Sequence, residues 1–217
     1  MRGIDSADDG HLSPSPRAHL QIPTPTVDLR ERQLSSESVY DGNFLHVRRD
    51  QIALPDSSTA TREYIVHPGA VVVVPLVYDA SGGLRVVLER QFRYPLDRVM
   101  IEFPAGKLEQ GEDSLLCAQR ELREETGYTA TEWAYAGVMH PTIAYSTEHI
   151  DIWFTRGLQA GPAALDAGEF LEVFTASPDE LLDWCAQGLV TDGKTMCCVL
   201  WLQNVLSGRW KLNWQPA

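Results

Sequence analysis

Residues 106–128 read GKLEQGEDSLLCAQRELREETGY, from Gly106 to Tyr128. Asp113 is a natural N-cap and Gly127 stands where a helix end favours glycine, so a helix is predicted over Asp113–Thr126. Residues three and four apart share a helix face. Leu115, Ala118 and Leu122 therefore form an apolar stripe, and Glu121, Glu124 and Glu125 an acidic one. Taken alone, RELREE reads as a solvated face of cheap Glu–Arg pairs. The other reading is a cation site. Three carboxylates this close repel one another unless a cation sits among them, and a hard divalent ion such as Mg²⁺ takes all-oxygen ligands, bridges phosphates and polarises water.

Upstream, Ala70–Tyr78 is a nearly continuous apolar run and predicts a buried strand. Leu84–Leu88 follows across Asp79-Ala80-Ser81-Gly82-Gly83, as a hairpin would. Downstream, strand-like stretches recur at Trp133–Met139, His149–Thr155 and Glu169–Thr175. Ser177-Pro178-Asp179-Glu180 is a capping box that launches a helix through Ala186, stopped by Gly188, and an amphipathic helix covers Lys194–Leu206. Mixed strands with helices for both faces imply an α/β or α+β sandwich. Before it, Val39–His46, Val47–Leu54 and Ala60–Val66 predict a small antiparallel sheet, too small to bury a core alone. The expected organisation is a mobile tail over residues 1–35, a β segment over 36–66 and the main domain over 67–217.

The 217 residues carry 18 Lys and Arg against 30 Asp and Glu, a net charge of -12. That balance argues against a nucleic-acid backbone or an anionic membrane as partner. Phosphates in a substrate would then need a local cation. No run reaches the roughly 18 apolar residues of a membrane span. The first thirty residues have no apolar core with a cleavage site, so no signal peptide is expected. Cys117, Cys185, Cys197 and Cys198 form no C-x-x-C pair. Reduced thiols in a cytoplasmic protein are expected, and no zinc site.

The Gly106–Tyr128 stretch resembles the Nudix box, G-x5-E-x7-R-E-U-x-E-E-x-G-U, where U is a bulky aliphatic residue. Gly106, Glu112, Arg120, Glu121, Leu122, Glu124, Glu125 and Gly127 match in register, and only Tyr128 departs, as an aromatic in the last U position. The resemblance implies an αβα sandwich with the box as loop–helix–loop, and hydrolysis of a nucleoside diphosphate linked to another group. It implies Glu121, Glu124 and Glu125 as metal ligands and Glu112 bracing the loop through Arg120. Gly106 is expected to make a tight turn through glycine's freedom at positive φ.

The flanks Gln91-Phe92-Arg93 and Glu102-Phe103-Pro104-Ala105-Gly106 resemble the ADP-ribose pyrophosphatase subgroup, as do Pro141 and Gly168-Glu169-Phe170-Leu171-Glu172-Val173. This likeness implies Arg93 on the diphosphate, Glu102 near the substrate, the Ala105 carbonyl on the metal and Glu169 as ligand or base, with Glu148 its rival. It further implies a homodimer through the N-terminal sheet. Tyr40 and Phe44 are candidates for stacking on adenine. The expected reaction is Mg²⁺-dependent cleavage of ADP-ribose into AMP and ribose 5-phosphate, with Mn²⁺ as a possible substitute. Two alternatives stand beside it: GDP-mannose or another nucleoside diphosphate sugar as substrate, and a ligand-sensing Nudix domain that does not cut.

Overall fold

The computed structural model describes residues 24–217. β1 (Arg32–Asp41), β2 (His46–Ala53) and β3 (Thr59–Val66) form an antiparallel sheet in the order β1-β2-β3. The single strand expected over Val39–His46 is corrected by a turn. Gly42 N–H donates to the Leu45 carbonyl at 2.9 Å, and Asp41-Gly42 is a strong hairpin dipeptide. The tail expected over residues 1–35 lies outside the described residues up to residue 23. β1 begins inside its bounds, because Arg32 already pairs with Ala53. Every side chain of β1 is exposed.

The second sheet has eight strands: β4 (Ala70–Tyr78), β5 (Leu84–Arg93), β6 (Arg98–Glu102), β7 (Ala105–Lys107), β8 (Tyr128–Met139), β9 (Ile150–Ala160), β10 (Leu171–Ala176) and β11 (Gln215–Pro216). Its order is β10-β5-β4-β9-β8-β11, with β6 beside β5 and β7 beside β4. β4 and β9 run parallel and the other pairs antiparallel. Three helices complete the chain: α1 (Ser114–Thr126), α2 (Pro178–Ala186) and α3 (Gly193–Leu206).

β4 explains the layering. Successive strand residues point to opposite faces. Val71 and Val73 meet Cys117, Ala118 and Leu122 of α1, with Trp133 and Trp153. Ala70, Val72 and Val74 meet Leu181 of α2 and Cys198, Val199 and Leu202 of α3. Both faces are covered, so β4 is apolar throughout rather than alternating. Full burial of one such side chain, Leu122 for example, contributes about 1.5–3 kcal/mol. The αβα sandwich agrees with expectation. Tyr128 packs against the α1-side cluster, the hydrophobic role its position calls for.

Local chemistry bounds α1 as the sequence predicts. The Asp113 carboxylate accepts from Leu115 N (2.9 Å) and Leu116 N (3.3 Å), and Gly127 closes the helix at φ +72. Strand ends depart further from expectation. β5 runs on to Arg93 because β6 pairs with it, Arg93 opposite Arg98. β10 starts only at Leu171, opposite Gln91, so Glu169 stays on the preceding loop. All four cysteines are free. Among the described residues, no helix is long and apolar enough to cross a membrane.

Candidate active site

β7, the start of β4, the face of α1, the end of β5, the loops before β9 and β10 and the start of α3 surround a cavity of about 510 Å³. Arg93, Ala105, Gly106, Glu121, Glu124, Glu125, Glu148 and Glu169 all line it. The fold thus gathers nearly every candidate residue, and Phe44 and Pro141 as well. Tyr40 is exposed and does not line the cavity.

Arg120 organises the acidic side of α1. Its Nε and Nη2 donate to the two Glu112 oxygens at 2.9 and 3.0 Å, and Nη2 also reaches the Lys107 carbonyl at 3.1 Å. Its Nη1 donates to Glu121 at 2.7 Å and Glu124 at 3.2 Å. This fork, with the Glu109 N–H, holds the Glu112 carboxyl down at about 2. The Glu112–Arg120 pair ties the loop after β7 to α1.

Glu125 differs from its two partners in burial. Spaced three from Leu122 and seven from Ala118, it falls on the buried face of α1 and is 4% exposed. Its Oε2 accepts the Ala105 N–H at 3.0 Å. Burial, then Glu89, Glu121 and Glu169, pushes its carboxyl well above the usual range. Arg120 donates to both Glu121 and Glu124, and among the described residues no three acidic, histidine or cysteine side chains form a ready cation cage. The donor set nonetheless suits a hard cation. It consists of oxygens, it carries an excess of negative charge, and the buried Glu89 Oε2 has no hydrogen-bond partner.

Gly106 departs from its expected reason. It lies in β7 and is not among the glycines with positive φ. What demands glycine is proximity: a Cβ there would come within 1.9 Å of the Glu121 carboxylate. At Gly127 both reasons hold, since φ is +72 and a Cβ would meet the Gly161 carbonyl at 2.4 Å.

Arg93 lines the cavity, yet its Nε and Nη2 grip Glu102 at 2.7 and 2.8 Å. Glu102 itself is 2% exposed and faces its cations rather than open space. Glu169 is half-buried on its loop. Its Oε1 accepts from Gln91 at 3.2 Å and its Oε2 from the Asp166 N–H at 3.3 Å. Glu148 stands across the same cavity, 4.0 Å from His67 Nε2. Burial lowers the His67 pKa, with Glu148 opposing. Phe44 meets the His67 ring edge-on at 6.2 Å, and Lys107 lies over Phe44 at 4.5 Å.

Glu89, His67, Asp192 and Lys194 are absent from the sequence-derived set. Glu89 left one usable signal: a lone acid ending the run Val86-Val87-Leu88, all fully buried. Asp192 left a local one as the N-cap of α3, whereas His67 and Lys194 left none, since their meaning comes from Glu148 and Glu102 far along the chain.

A family model described as "NUDIX domain" matches residues 67–196, and one described as "Nucleoside diphosphate sugar hydrolase N-terminal domain" matches residues 31–65. The chain is 34% identical over 177 residues to the "Methanol dehydrogenase activator" of Bacillus methanolicus, covering 80% of this chain and 92% of that protein. It is 31% identical to the "ADP-ribose pyrophosphatase" of Bacillus subtilis (strain 168), covering 81% and 94%. A crystal structure of an "ADP compounds hydrolase" superposes with a TM-score of 0.75 at 18% identity, over 86% of this chain and 98% of that one, which shows the shared fold.

Proposed function

The chain belongs to the NUDIX domain family, and from that premise we propose that it hydrolyses the diphosphate bond of ADP-ribose to AMP and ribose 5-phosphate. Nudix hydrolases generally need a divalent metal, and we assign Mg²⁺ or Mn²⁺ to Glu121, Glu124, Glu125 and the Ala105 carbonyl. The observation that carries the reading is that these carboxylates and Arg93 line the same cavity of about 510 Å³.

When bound, the cation supplies charge for the diphosphate oxygens and makes water more acidic. The chain's own residues do the rest. Arg93 uses two of its nitrogens on Glu102, and its Nη1 has no protein partner among the described residues. That nitrogen is offered to a diphosphate oxygen. Glu169, on a loop at the cavity edge, accepts the proton of the attacking water. The new oxygen–phosphorus bond forms as the bridging oxygen leaves, giving the two monophosphates. Glu112 and Arg120 keep the loop in place, and the gap left by Gly106 lets Glu121 approach the backbone.

ADP-ribose, GDP-mannose and NADH, each supplied with Mg²⁺ and scored by product, form the test. ADP-ribose is expected to be cut fastest, chelation with EDTA to abolish cleavage, and added Mg²⁺ or Mn²⁺ to restore it. Full activity in chelator would remove the metal from the scheme, and no turnover of any substrate would favour the ligand-sensing alternative.

The same reading makes residues 36–66 a dimerisation segment and 67–217 the catalytic domain, in a reduced cytoplasmic setting that suits four free cysteines. β1 exposes Leu34, Val39 and Tyr40, and an uncovered edge strand invites pairing. Light scattering should give twice the 24.2 kDa chain mass. A folded, fully active monomer lacking residues 36–66 would end the dimer model.

A further inference from the structure

We propose that Lys194 is a positioning residue, which acts through Glu102 to aim Arg93 at the substrate diphosphate. The proposal rests on the reading of Arg93 given above.

Lys194 lies in the first turn of α3, and its side chain is only 14% exposed. Its ammonium donates to Glu102 Oε2 and, at 3.0 Å, to Asp192 Oδ2. Burial works against that charge, but Asp192 and Glu102 raise its pKa above the ordinary value. The same Glu102 oxygen accepts Arg93 Nη2 at 2.8 Å, while the other accepts Arg93 Nε at 2.7 Å. A buried carboxylate is thus clamped between two cations. Both cations line the cavity, but Arg93, 40% exposed against 14% for Lys194, is the more open of the two and keeps its Nη1 without a protein partner among the described residues.

The second cation is needed because of what lies opposite. Glu89 and Glu102 are direct cross-strand partners on β5 and β6. Both are almost fully buried, and like charges placed so repel. Without Lys194, Arg93 alone would face Glu89, Glu102 and Asp192. Glu102 would then tend to take up a proton, and a protonated carboxyl loses part of its acceptor capacity for the Arg93 fork. Arg93 would be freed to swing. Contacts other than those of Lys194 also hold the start of α3. Asp192 caps Thr195 N at 2.9 Å, and Thr195 Oγ1 accepts the Phe103 N–H at 3.2 Å.

The test is a double-mutant cycle in the full chain with saturating Mg²⁺. It reads kcat and KM for ADP-ribose, and Kd for the non-hydrolysable α,β-methylene analogue. Lys194→Met is expected to raise KM and Kd roughly ten-fold with kcat changed less than about three-fold. In an Arg93→Ala background the same change should add less than about two-fold, since Lys194 acts through the missing group. Thr195→Val, which loosens α3 without altering charge, should lower Tm and leave KM alone. Equal losses in both backgrounds, or an unmoved KM, would overturn the proposal. Should Lys194→Met fail to fold, Lys194→Gln keeps a donor and reads the same coupling. Failure of the ADP-ribose reading would show in the wild-type chain alone, and the cycle would then be run on whichever nucleoside diphosphate compound of the panel is cut.

Discussion

Exchange of Glu125 for glutamine is expected to lower kcat/KM on the order of 10³-fold, because a bound cation supplies several kcal/mol of charge stabilisation. The fold should survive. Glutamine keeps an oxygen for the Ala105 N–H, now held at 3.0 Å, and removes a carboxyl that burial and three neighbouring glutamates already push above its usual range. A group whose folded pKa is raised stabilises the protein fully below its unfolded value of about 4.3. That contribution is lost as pH rises toward the folded value. In EDTA, therefore, the stability advantage of Glu125→Gln over wild type should widen between about pH 5 and pH 8, by at most about 1.4 kcal/mol per pH unit. Denaturant titrations at the two pH values measure this. An active Glu125→Gln enzyme would remove Glu125 from the metal site, and a gap that does not change with pH would contradict the burial argument.

Glu169→Gln is the second large effect, a fall in kcat of roughly 10²–10⁴-fold, the usual scale of a general base. Glu169 sits on the loop between β9 and β10, just after Gly168 at φ +88 and before Phe170, which is 83% exposed. Its carboxylate is held by two contacts longer than 3 Å, from Gln91 and from its own loop, so it can be released toward substrate. Substrate affinity and metal retention should be preserved, because Arg93 and the box glutamates are untouched. Glu172→Gln is the control. That side chain is 69% exposed and pairs with Arg90 at 3.0 Å, so little should change. Glu148→Gln tests the other wall of the cavity. Normal turnover in Glu169→Gln with collapse in Glu148→Gln would move the base to Glu148. Normal turnover in both would leave water activation to the cation alone.

Features legible in the sequence are those set by near neighbours. The bounds of α1 follow from Asp113, Gly127 and the Ala118–Leu122 spacing, all within one helix. The apolar run of β4 announces a strand covered on both faces. The Glu112–Arg120 brace spans eight positions and was readable from the motif. At Gly42 two local signals compete: Asp41-Gly42 favours a turn, loose alternation across residues 39–46 favours one strand, and the turn wins.

Composition and local spacing by themselves determined the sandwich class, the box helix and the set of acids available for a cation, since capping, periodicity and charge act over a few residues. Tertiary structure alone decided which acid is buried, why Gly106 must be glycine, and that Arg93 is shared with Glu102. It also brought Lys194 to Glu102 across 92 positions of chain. Such contacts depend on strand register and on how α1 and α3 dock against the sheet. A buried carboxylate acquires its charge state and its partners only when those surfaces close around it.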